Sequence, residues 1–145
     1  MVFAGIFVTM TPALLWLDAN AGRFGLERPW HYFWATGALS SFLDNAPAYL
    51  ALAATACGVD GIALEGRYLG RYLTLGPRAA ETLAAISVGA VFMGANSYLG
   101  NGPNLMVKAI AEESGVRMPS FFGYLAYSAG ILAPLFVVVT VLFFR

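Results

Sequence analysis

Two polar runs inside apolar stretches hold the side chains of this sequence that could do chemistry. The first run, residues 44–47, reads Asp-Asn-Ala-Pro and interrupts the apolar stretch 30–57. The second run, residues 96–104, reads Asn-Ser-Tyr-Leu-Gly-Asn-Gly-Pro-Asn and interrupts the stretch 79–111. An ionisable group in the middle of an apolar stretch is costly and indicates a functional site by default. Asp44 is therefore the first candidate for ion binding.

The other side chains of the two runs supply neutral oxygen atoms. Amide and hydroxyl oxygens without sulfur suit a hard cation such as sodium. Burial disfavours the charged form of a carboxylate, so Asp44 is also a candidate proton carrier. A carboxylate that can hold either ion is the simplest basis for exchanging the two. The oxygen donors are Asn45, Asn96, Asn101 and Asn104 among the amides, and Ser40, Ser41 and Ser97 among the hydroxyls.

Helix lengths show how such runs can lie deep in a membrane. The apolar stretch has 14 residues before the first run and 10 after it. As helices these halves are about 21 and 15 Å long, each near half of a hydrocarbon core about 30 Å thick. The stretch therefore predicts two short helices that meet at the midplane, as a re-entrant hairpin or as one broken span. Unwound backbone at that depth persists only where protein or a water-filled cavity satisfies it.

Four apolar stretches predict an all-α polytopic membrane protein with a single membrane domain over residues 1–145. The 33 residues of 79–111 are too long for one simple span, whereas 121–144 offers 24 residues without a charge. Because the chain opens inside a hydrophobic segment, we expect it to be a C-terminal fragment. The predicted elements are a transmembrane helix at 1–19, a re-entrant hairpin at 29–57, a broken transmembrane helix at 79–114 and a transmembrane helix at 120–144.

The composition agrees with a membrane protein and excludes several function classes. Hydrophobic residues make up 59% of the chain and charged residues 11%, whereas soluble proteins average about 25% charged residues. A net charge of +0 gives no sign of a nucleic-acid partner. We expect Lys108 to pair with Glu112, four residues on, rather than with Asp44. Aromatic residues such as Tyr124 are predicted to serve the membrane interface and packing.

Enzyme chemistry within the membrane lacks its partner residues in this sequence. An intramembrane aspartyl protease needs two membrane aspartates, but Asp18 and Asp60 fall in polar links and leave Asp44 alone. Serine chemistry of the rhomboid type would need a histidine partner. The one histidine, His31, lies beside Trp30 and is predicted to be interfacial. We therefore expect no enzyme activity and no organic cofactor.

The segments around both breaks resemble the second half of proteins in an ion transporter superfamily. These segments are SSFLDNAPAYL at 40–50, FMGANSYLGNGPNLMVKAIAEESGV at 92–116 and MPSFFGYLAYS at 118–128. The superfamily includes citrate and dicarboxylate transporters, arsenite permeases and sodium:proton antiporters. The chain resembles in particular the bacterial group called sodium:proton antiporter or citrate-transporter-like. The resemblance covers nearly the whole chain.

This resemblance implies a fold of two inverted repeats, each with a re-entrant hairpin and a broken helix that together hold the coupling ion. Dicarboxylate members have a Ser-Asn-Thr tip, so the tip of this chain favours a cation or proton role. Ala48 stands where we expect a threonine in close relatives. The implied site residues are Ser41, Asp44, Asn45, Ala46 and Pro47 at the hairpin tip, and Asn96, Gly100, Asn101, Gly102, Pro103 and Asn104 in the broken helix. We hypothesise that sodium is bound by Asp44, Asn45, Asn101 and Asn104.

The implied function is a secondary active transporter that exchanges sodium for protons by alternating access. The alternative is a sodium- or proton-coupled carrier of citrate, another carboxylate or an arsenite-type anion. Sodium and protons are the expected coupling ions. The expected partners are the lipid bilayer and a missing N-terminal half, with a homodimer as an open alternative. The expected location is the bacterial inner membrane, crossed several times.

Overall fold

The secondary structure of the described part of the chain is helical. The computed structural model describes residues 11–12, 14–17 and 19–144, and the predicted span at 1–19 lies largely outside these ranges. No strand occurs in the described residues, which confirms the all-α prediction. The helices are α1 (Pro29–Ser40), α2 (Asn45–Val59), α3 (Tyr68–Leu73), α4 (Pro77–Met93), α5 (Gly102–Glu113) and α6 (Phe121–Phe143), with short 3₁₀ turns at Ala21–Arg23 and Gly94–Asn96.

Helices α1, α2 and α4 pack into one core through small residues on their facing sides. Gly89 of α4 lies against the backbone of Phe33 in α1, and Gly37 of α1 lies against the side chain of Met93. Small residues of this kind let helix backbones approach closely in membranes. The buried positions of α2 are mostly alanines, namely Ala48, Ala51, Ala53, Ala54 and Ala56.

The hairpin of α1 and α2 reverses direction at residues 41–44, which we call the hairpin loop. Helix α1 ends at Ser40, and α2 begins at Asn45 with Asp44 as its N-cap residue. Pro47 lies in the first turn of α2, where the N–H that proline lacks would have no partner within the helix. The polar run 44–47 therefore forms the end of the loop and the start of the second helix.

A second break separates α4 from α5. Helix α4 ends at Met93, a 3₁₀ turn follows through Asn96, and α5 begins at Gly102. We call residues 94–101 the linker. Pro103 is the second residue of α5, and proline is favoured at the start of a helix. None of the residues of α5 is buried, so this helix extends away from the three-helix core.

The end of the hairpin opposite its loop is fixed by α3 and by the start of α4. Tyr72 of α3 is only 2% exposed. Burial raises the pKa of its hydroxyl to about 12, so the group stays neutral at physiological pH. The guanidinium of Arg78 donates to the carbonyl of Glu27 just before α1. These contacts fix the helices at this end. The hairpin loop and the linker lie close together at the opposite end.

Helix α6 packs on α1 through its C-terminal half. Trp34 Nε1 donates to Thr140 Oγ1 at 3.1 Å, and the rings of Phe33 and Phe136 lie 6.3 Å apart. Helix α6 has a mean hydropathy of 2.2, and little of it is buried against the rest of the structure. Among the described residues, Pro77–Asn96 and Phe121–Phe143 are the two helical stretches long and apolar enough to cross a membrane.

Replacing Gly89 by alanine is expected to destabilise this core. The added Cβ would overlap the carbonyl oxygen of Phe33, and backbone atoms cannot move aside as a flexible side chain can. Overpacking of this kind lowers the free energy of unfolding by about 1–3 kcal/mol. The measurement is the thermal unfolding midpoint in detergent. The control is Gly130→Ala on α6, where nothing lies within 4 Å of the added Cβ. Equal midpoints for both variants would contradict the close packing of α1 on α4.

Candidate functional site

The side chain of Asn45 joins the hairpin loop to the linker. Asn45 is the first residue of α2 and is partly buried. With its amide nitrogen turned toward the surrounding acceptors, Nδ2 lies 2.8 Å from the carbonyl oxygen of Ala90 and 3.2 Å from that of Gly100. The same nitrogen lies 2.9 Å from Oγ of Ser40. One amide thus connects both helices of the hairpin to α4 and the linker.

Two serines at the end of α1 contact the carbonyl end of α4. Ser40 Oγ donates to the carbonyl of Ala90 at 2.6 Å. Ser41 Oγ lies 3.0 Å from the carbonyl oxygen of Met93 and 2.9 Å from that of Gly37. Both serines are buried. Hydrogen bonds in such a low-dielectric interior are strong, so these contacts fix where α4 stops relative to the hairpin.

The linker folds against the hairpin loop through Ser97 and Gly100. The fully buried hydroxyl of Ser97 donates to the carbonyl of Ser41 and accepts the N–H of Gly100 at 3.0 Å. A Cβ at Gly100 would lie 2.5 Å from the carbonyl oxygen of Ser40 and 2.6 Å from that of Gly94. At Gly100 the backbone of the linker is in direct contact with the backbone of the hairpin loop. The two segments therefore pack together as one unit.

Every carbonyl oxygen from residue 93 to residue 97 lies within hydrogen-bonding distance of a side-chain donor. The donors are Ser41 for Met93, Asn104 for Gly94 and Ser97, Tyr124 for Ala95, and Ser128 for Asn96, at 2.6 to 3.3 Å. Buried backbone groups that are not paired within a helix need such partners. The carbonyl groups of this break are therefore already occupied by the protein.

Some backbone N–H groups at the starts of α2 and α5 have no hydrogen-bond acceptor among the described residues. Helix N-termini have N–H groups without a partner inside the helix. Those of Ala46 and Gly102 make no hydrogen bond within the described ranges. The two starts lie close together because Asn45 contacts Gly100, two residues before α5. The site thus presents two helix N-termini, each with a partial positive charge of about half an elementary charge.

Asp44 lies at the exposed start of α2, outside the buried network. Its carboxylate accepts a hydrogen bond from the N–H of Asn45 at 2.9 Å. No ion pair joins it to another described residue. The ion pair that the structure does show joins Lys108 to Glu112 at 2.6 Å, as the sequence predicted. The Asp44 carboxylate is therefore exposed, and the burial on which its predicted role as a proton carrier depends is not seen in the described residues.

The four predicted sodium ligands differ in how far their side chains are already used. Asn104 donates to two linker carbonyls, and the Asn45 amide contacts three acceptors, so both stabilise the backbone. Asn101 is the N-cap residue of α5, and its side chain makes no hydrogen bond to the described residues. The Asn101 side chain is thus free of the described residues, whereas Asn104 uses its amide nitrogen and keeps its Oδ1, the atom that a cation would bind, without a hydrogen bond to them.

Asn96, another predicted site residue, has a buried oxygen without a partner. Its Nδ2 donates to Oγ of Ser41 at 3.1 Å. Its Oδ1 is buried and makes no hydrogen bond to any described residue. Leaving such an oxygen unpaired costs about 1–3 kcal/mol. An amide oxygen can coordinate a cation or accept an N–H or O–H group, and Oδ1 of Asn96 is the buried side-chain atom of this break that lacks such a partner.

Three residues that hold the linker are absent from the predicted site. Gly94 contacts the Asn45 side chain so closely that a Cβ would overlap it. Tyr124, assigned from the sequence to the interface, donates to a linker carbonyl, as does Ser128. Polar residues at i and i+4 share one helix face. That pairing in an otherwise apolar helix is the signal by which Tyr124 and Ser128 could be found.

Comparison with known families matches residues 1–144 to a family described as "putative citrate transport". The chain belongs to this citrate-transport family. The match confirms the predicted resemblance to the citrate-transporter-like group. No curated protein and no solved structure matches the chain significantly. Family membership, together with the apolar helices α4 and α6, makes this citrate-transport family member a membrane protein.

Proposed function

We propose that this chain is part of a secondary active transporter for citrate or a related carboxylate, coupled to sodium ions or protons. In this proposal the hairpin loop and the linker form part of the binding site. One observation carries it: the carbonyls of residues 93–97 lie near the protein's own side-chain donors, whereas the N–H groups of Ala46 and Gly102, at the starts of α2 and α5, make no hydrogen bond to the described residues. Family membership supports the same substrate class.

Two adjacent helix N-termini favour an anionic ligand. Free N–H groups and the helix dipole both attract negative charge. Broken helices in transporters direct such N-termini at anionic groups of the substrate. Ala46 and Gly102 each offer an N–H that no described residue accepts. A polycarboxylate can place one carboxylate at each start, which a monovalent cation cannot do.

Asp44 suggests how substrate binding is coupled to a cation. Its carboxylate accepts the N–H of Asn45 and so lies at the start of α2 as a tethered anion. A substrate carboxylate at the same start would be repelled by it. A proton or a sodium ion on Asp44 removes this repulsion. Cation and carboxylate then bind together, which is the requirement for cotransport.

A second candidate function, sodium/proton antiport, is favoured by the same exposed carboxylate. Asp44 is the acidic residue at the centre of a long apolar stretch. Together with the free side chain of Asn101 it could hold sodium in one state and a proton in the other. The antiporter differs from the carboxylate carrier in one measurable respect, because it needs no organic anion. An arsenite-type anion is a further substrate that the two N-termini would accept.

We also propose that the chain works with a second repeat of inverted topology. Alternating access in many transporters uses two repeats around a site near the bilayer midplane. The described residues supply one hairpin and one linker. The second pair would come from another segment of the same polypeptide or from a second copy. The proposed location is the bacterial inner membrane, with several passes and a re-entrant hairpin formed by α1 and α2.

The test is uptake of radiolabelled citrate by membrane vesicles that contain the complete transporter. A carboxylate carrier is expected to accumulate label under an inward sodium or proton gradient, and excess unlabelled citrate should compete. An antiporter would instead change the internal pH when sodium is added, with no citrate uptake. Inhibition of citrate uptake by arsenite would extend the substrate class. Vesicles that show neither activity would refute both candidate functions.

Asn101 and Asn104, at the start of α5, are expected to respond differently to replacement by alanine. Asn101→Ala removes a free side chain, so the half-saturating ligand concentration should rise while the unfolding midpoint stays constant. Asn104→Ala removes the donor to two carbonyls and should cost about 1–3 kcal/mol of stability. Transport kinetics and thermal unfolding of both variants provide the measurement. An equal loss of stability in both variants would contradict the conclusion that the Asn101 side chain makes no hydrogen bond to the described residues.

A further inference from the structure

Helix α6 contacts the linker through two hydroxyl groups one helical turn apart. The hydroxyl of Tyr124 donates to the carbonyl of Ala95 at 3.0 Å. Oγ of Ser128 lies 2.6 Å from the carbonyl oxygen of Asn96. Residues four apart lie on the same face of a helix. One face of α6 therefore holds two consecutive carbonyls of the 3₁₀ turn.

An aromatic contact holds the same segment from the other side. The ring of Tyr98 in the linker stacks on the ring of Tyr124, with centroids 4.2 Å apart and an interplanar angle of 26°. The hydroxyl of Tyr98 donates to the carbonyl of Pro119 just before α6 at 3.1 Å. Lys108 Nζ lies 5.6 Å from the centroid of the same ring. The linker thus contacts α6, or the residues just before it, through Ala95, Asn96 and Tyr98.

Between these contacts lies the amide oxygen that has no partner. The backbone of Asn96 is held by Ser128 from α6, and its Nδ2 is held by Ser41 from the hairpin loop. Both ends of the residue are fixed, while Oδ1 stays buried and unpaired. The bond from Nδ2 to Ser41 restricts rotation of the side chain, and the bond from Ser128 fixes the backbone that carries it. The anchors therefore maintain an arrangement that is unfavourable in the absence of a ligand.

Helix α6 also contacts the core at positions away from Tyr124 and Ser128. The C-terminal half of α6 already packs on α1 through the bond from Trp34 to Thr140 and the contact of Phe136 with Phe33. The contacts of Tyr124 and Ser128 go to the linker instead. Their effect on a ligand at the linker can therefore be separated from their effect on the fold.

We propose that Tyr124 and Ser128 are positioning residues that set the ligand affinity of the site by holding Asn96 with its amide oxygen free. They act on the ligand through the linker and do not contact it themselves. This proposal rests on the proposed function, in which the linker is part of the binding site. Helix α6 would thus influence ligand affinity, a role that its apolar composition does not suggest.

The test is to measure both the KM and the maximal rate of citrate uptake by variants of the complete transporter. A positioning role predicts a change in KM with little change in the maximal rate. Ser128→Ala is expected to raise the KM for citrate, or the half-saturating sodium concentration, about fivefold, the loss that corresponds to about one hydrogen bond. The maximal rate should stay within a factor of two. Ser128→Thr keeps the hydroxyl and should restore the original value. Tyr124→Phe keeps the ring stacking and should give a smaller rise in the same direction.

The matched control is Thr140→Val, which removes a hydrogen bond of α6 at its other end. An equal rise in KM for this control would overturn the proposal, because general loosening of α6 would explain both. Unchanged KM and half-saturating sodium concentration in Ser128→Ala would overturn it as well. If the unmodified protein carries no citrate but exchanges sodium for protons, the proposed carboxylate function fails. The half-saturating sodium concentration of that exchange then decides the role of Ser128.

Discussion

Replacing Asp44 by asparagine is expected to uncouple substrate uptake from the cation gradient. Asparagine has nearly the same size and still offers an oxygen to the N–H of Asn45, so the start of α2 should be preserved. It has no charge to attract sodium and cannot carry the exchanged proton. If the protein is a carboxylate carrier, the variant has no negative charge at the start of α2 in any state. Citrate should bind with or without the cation, and its uptake should no longer be stimulated by a sodium or proton gradient.

The measurement is citrate uptake by vesicles with and without an imposed gradient. Asp60→Asn is the matched control, since it makes the same change at the C-terminal end of the same helix. The control should keep the full stimulation by the gradient. In an antiporter, Asp44→Asn should instead abolish sodium-driven proton movement. Stimulation equal to that of the unmodified protein would remove Asp44 from the coupling mechanism, whichever substrate is carried.

The helical class of this protein follows from local sequence, and so do several details. Long apolar stretches predict helices, and none of the described residues is in a strand. The Lys108–Glu112 pair is four residues apart, so helix geometry alone predicts it, and the structure confirms it. The two polar runs lie at the hairpin loop and at the linker. Proline and asparagine act on backbone close to themselves, which is why their effect can be inferred from sequence.

Side-chain partners at the site depend on packing between distant segments. The acceptors of Asn45 are Ala90 and Gly100, which come near only because α1 and α4 cross closely. Residue type alone predicts Asn45 and Asn104 as sodium ligands, but it does not predict that their amide nitrogens contact backbone carbonyls of other segments. The free oxygen of Asn96 could not be distinguished from the other amides in the sequence. Its neighbours Ser41 and Ser128 belong to other elements.

Replacing Gly100 by alanine is expected to abolish transport without unfolding the membrane domain. The added Cβ would lie 2.5 Å from the carbonyl oxygen of Ser40 and 2.6 Å from that of Gly94. Both neighbours are backbone atoms, so the linker must move away from the hairpin loop. Misplacement of binding groups by about 1 Å can lower rates about 100-fold. The loss of stability should stay near the 1–3 kcal/mol typical of overpacking, since the packing of α1 on α4 lies elsewhere.

Two measurements on Gly100→Ala separate displacement of the site from loss of the fold. Size-exclusion elution and the thermal midpoint report on the fold, and citrate uptake reports on the site. Gly22→Ala is the control, because nothing lies within 4 Å of its added Cβ and it is remote in sequence from both breaks. It should leave all three values unchanged. Normal uptake by Gly100→Ala would show that the linker need not contact the hairpin loop. The binding site would then have to be sought away from these two breaks.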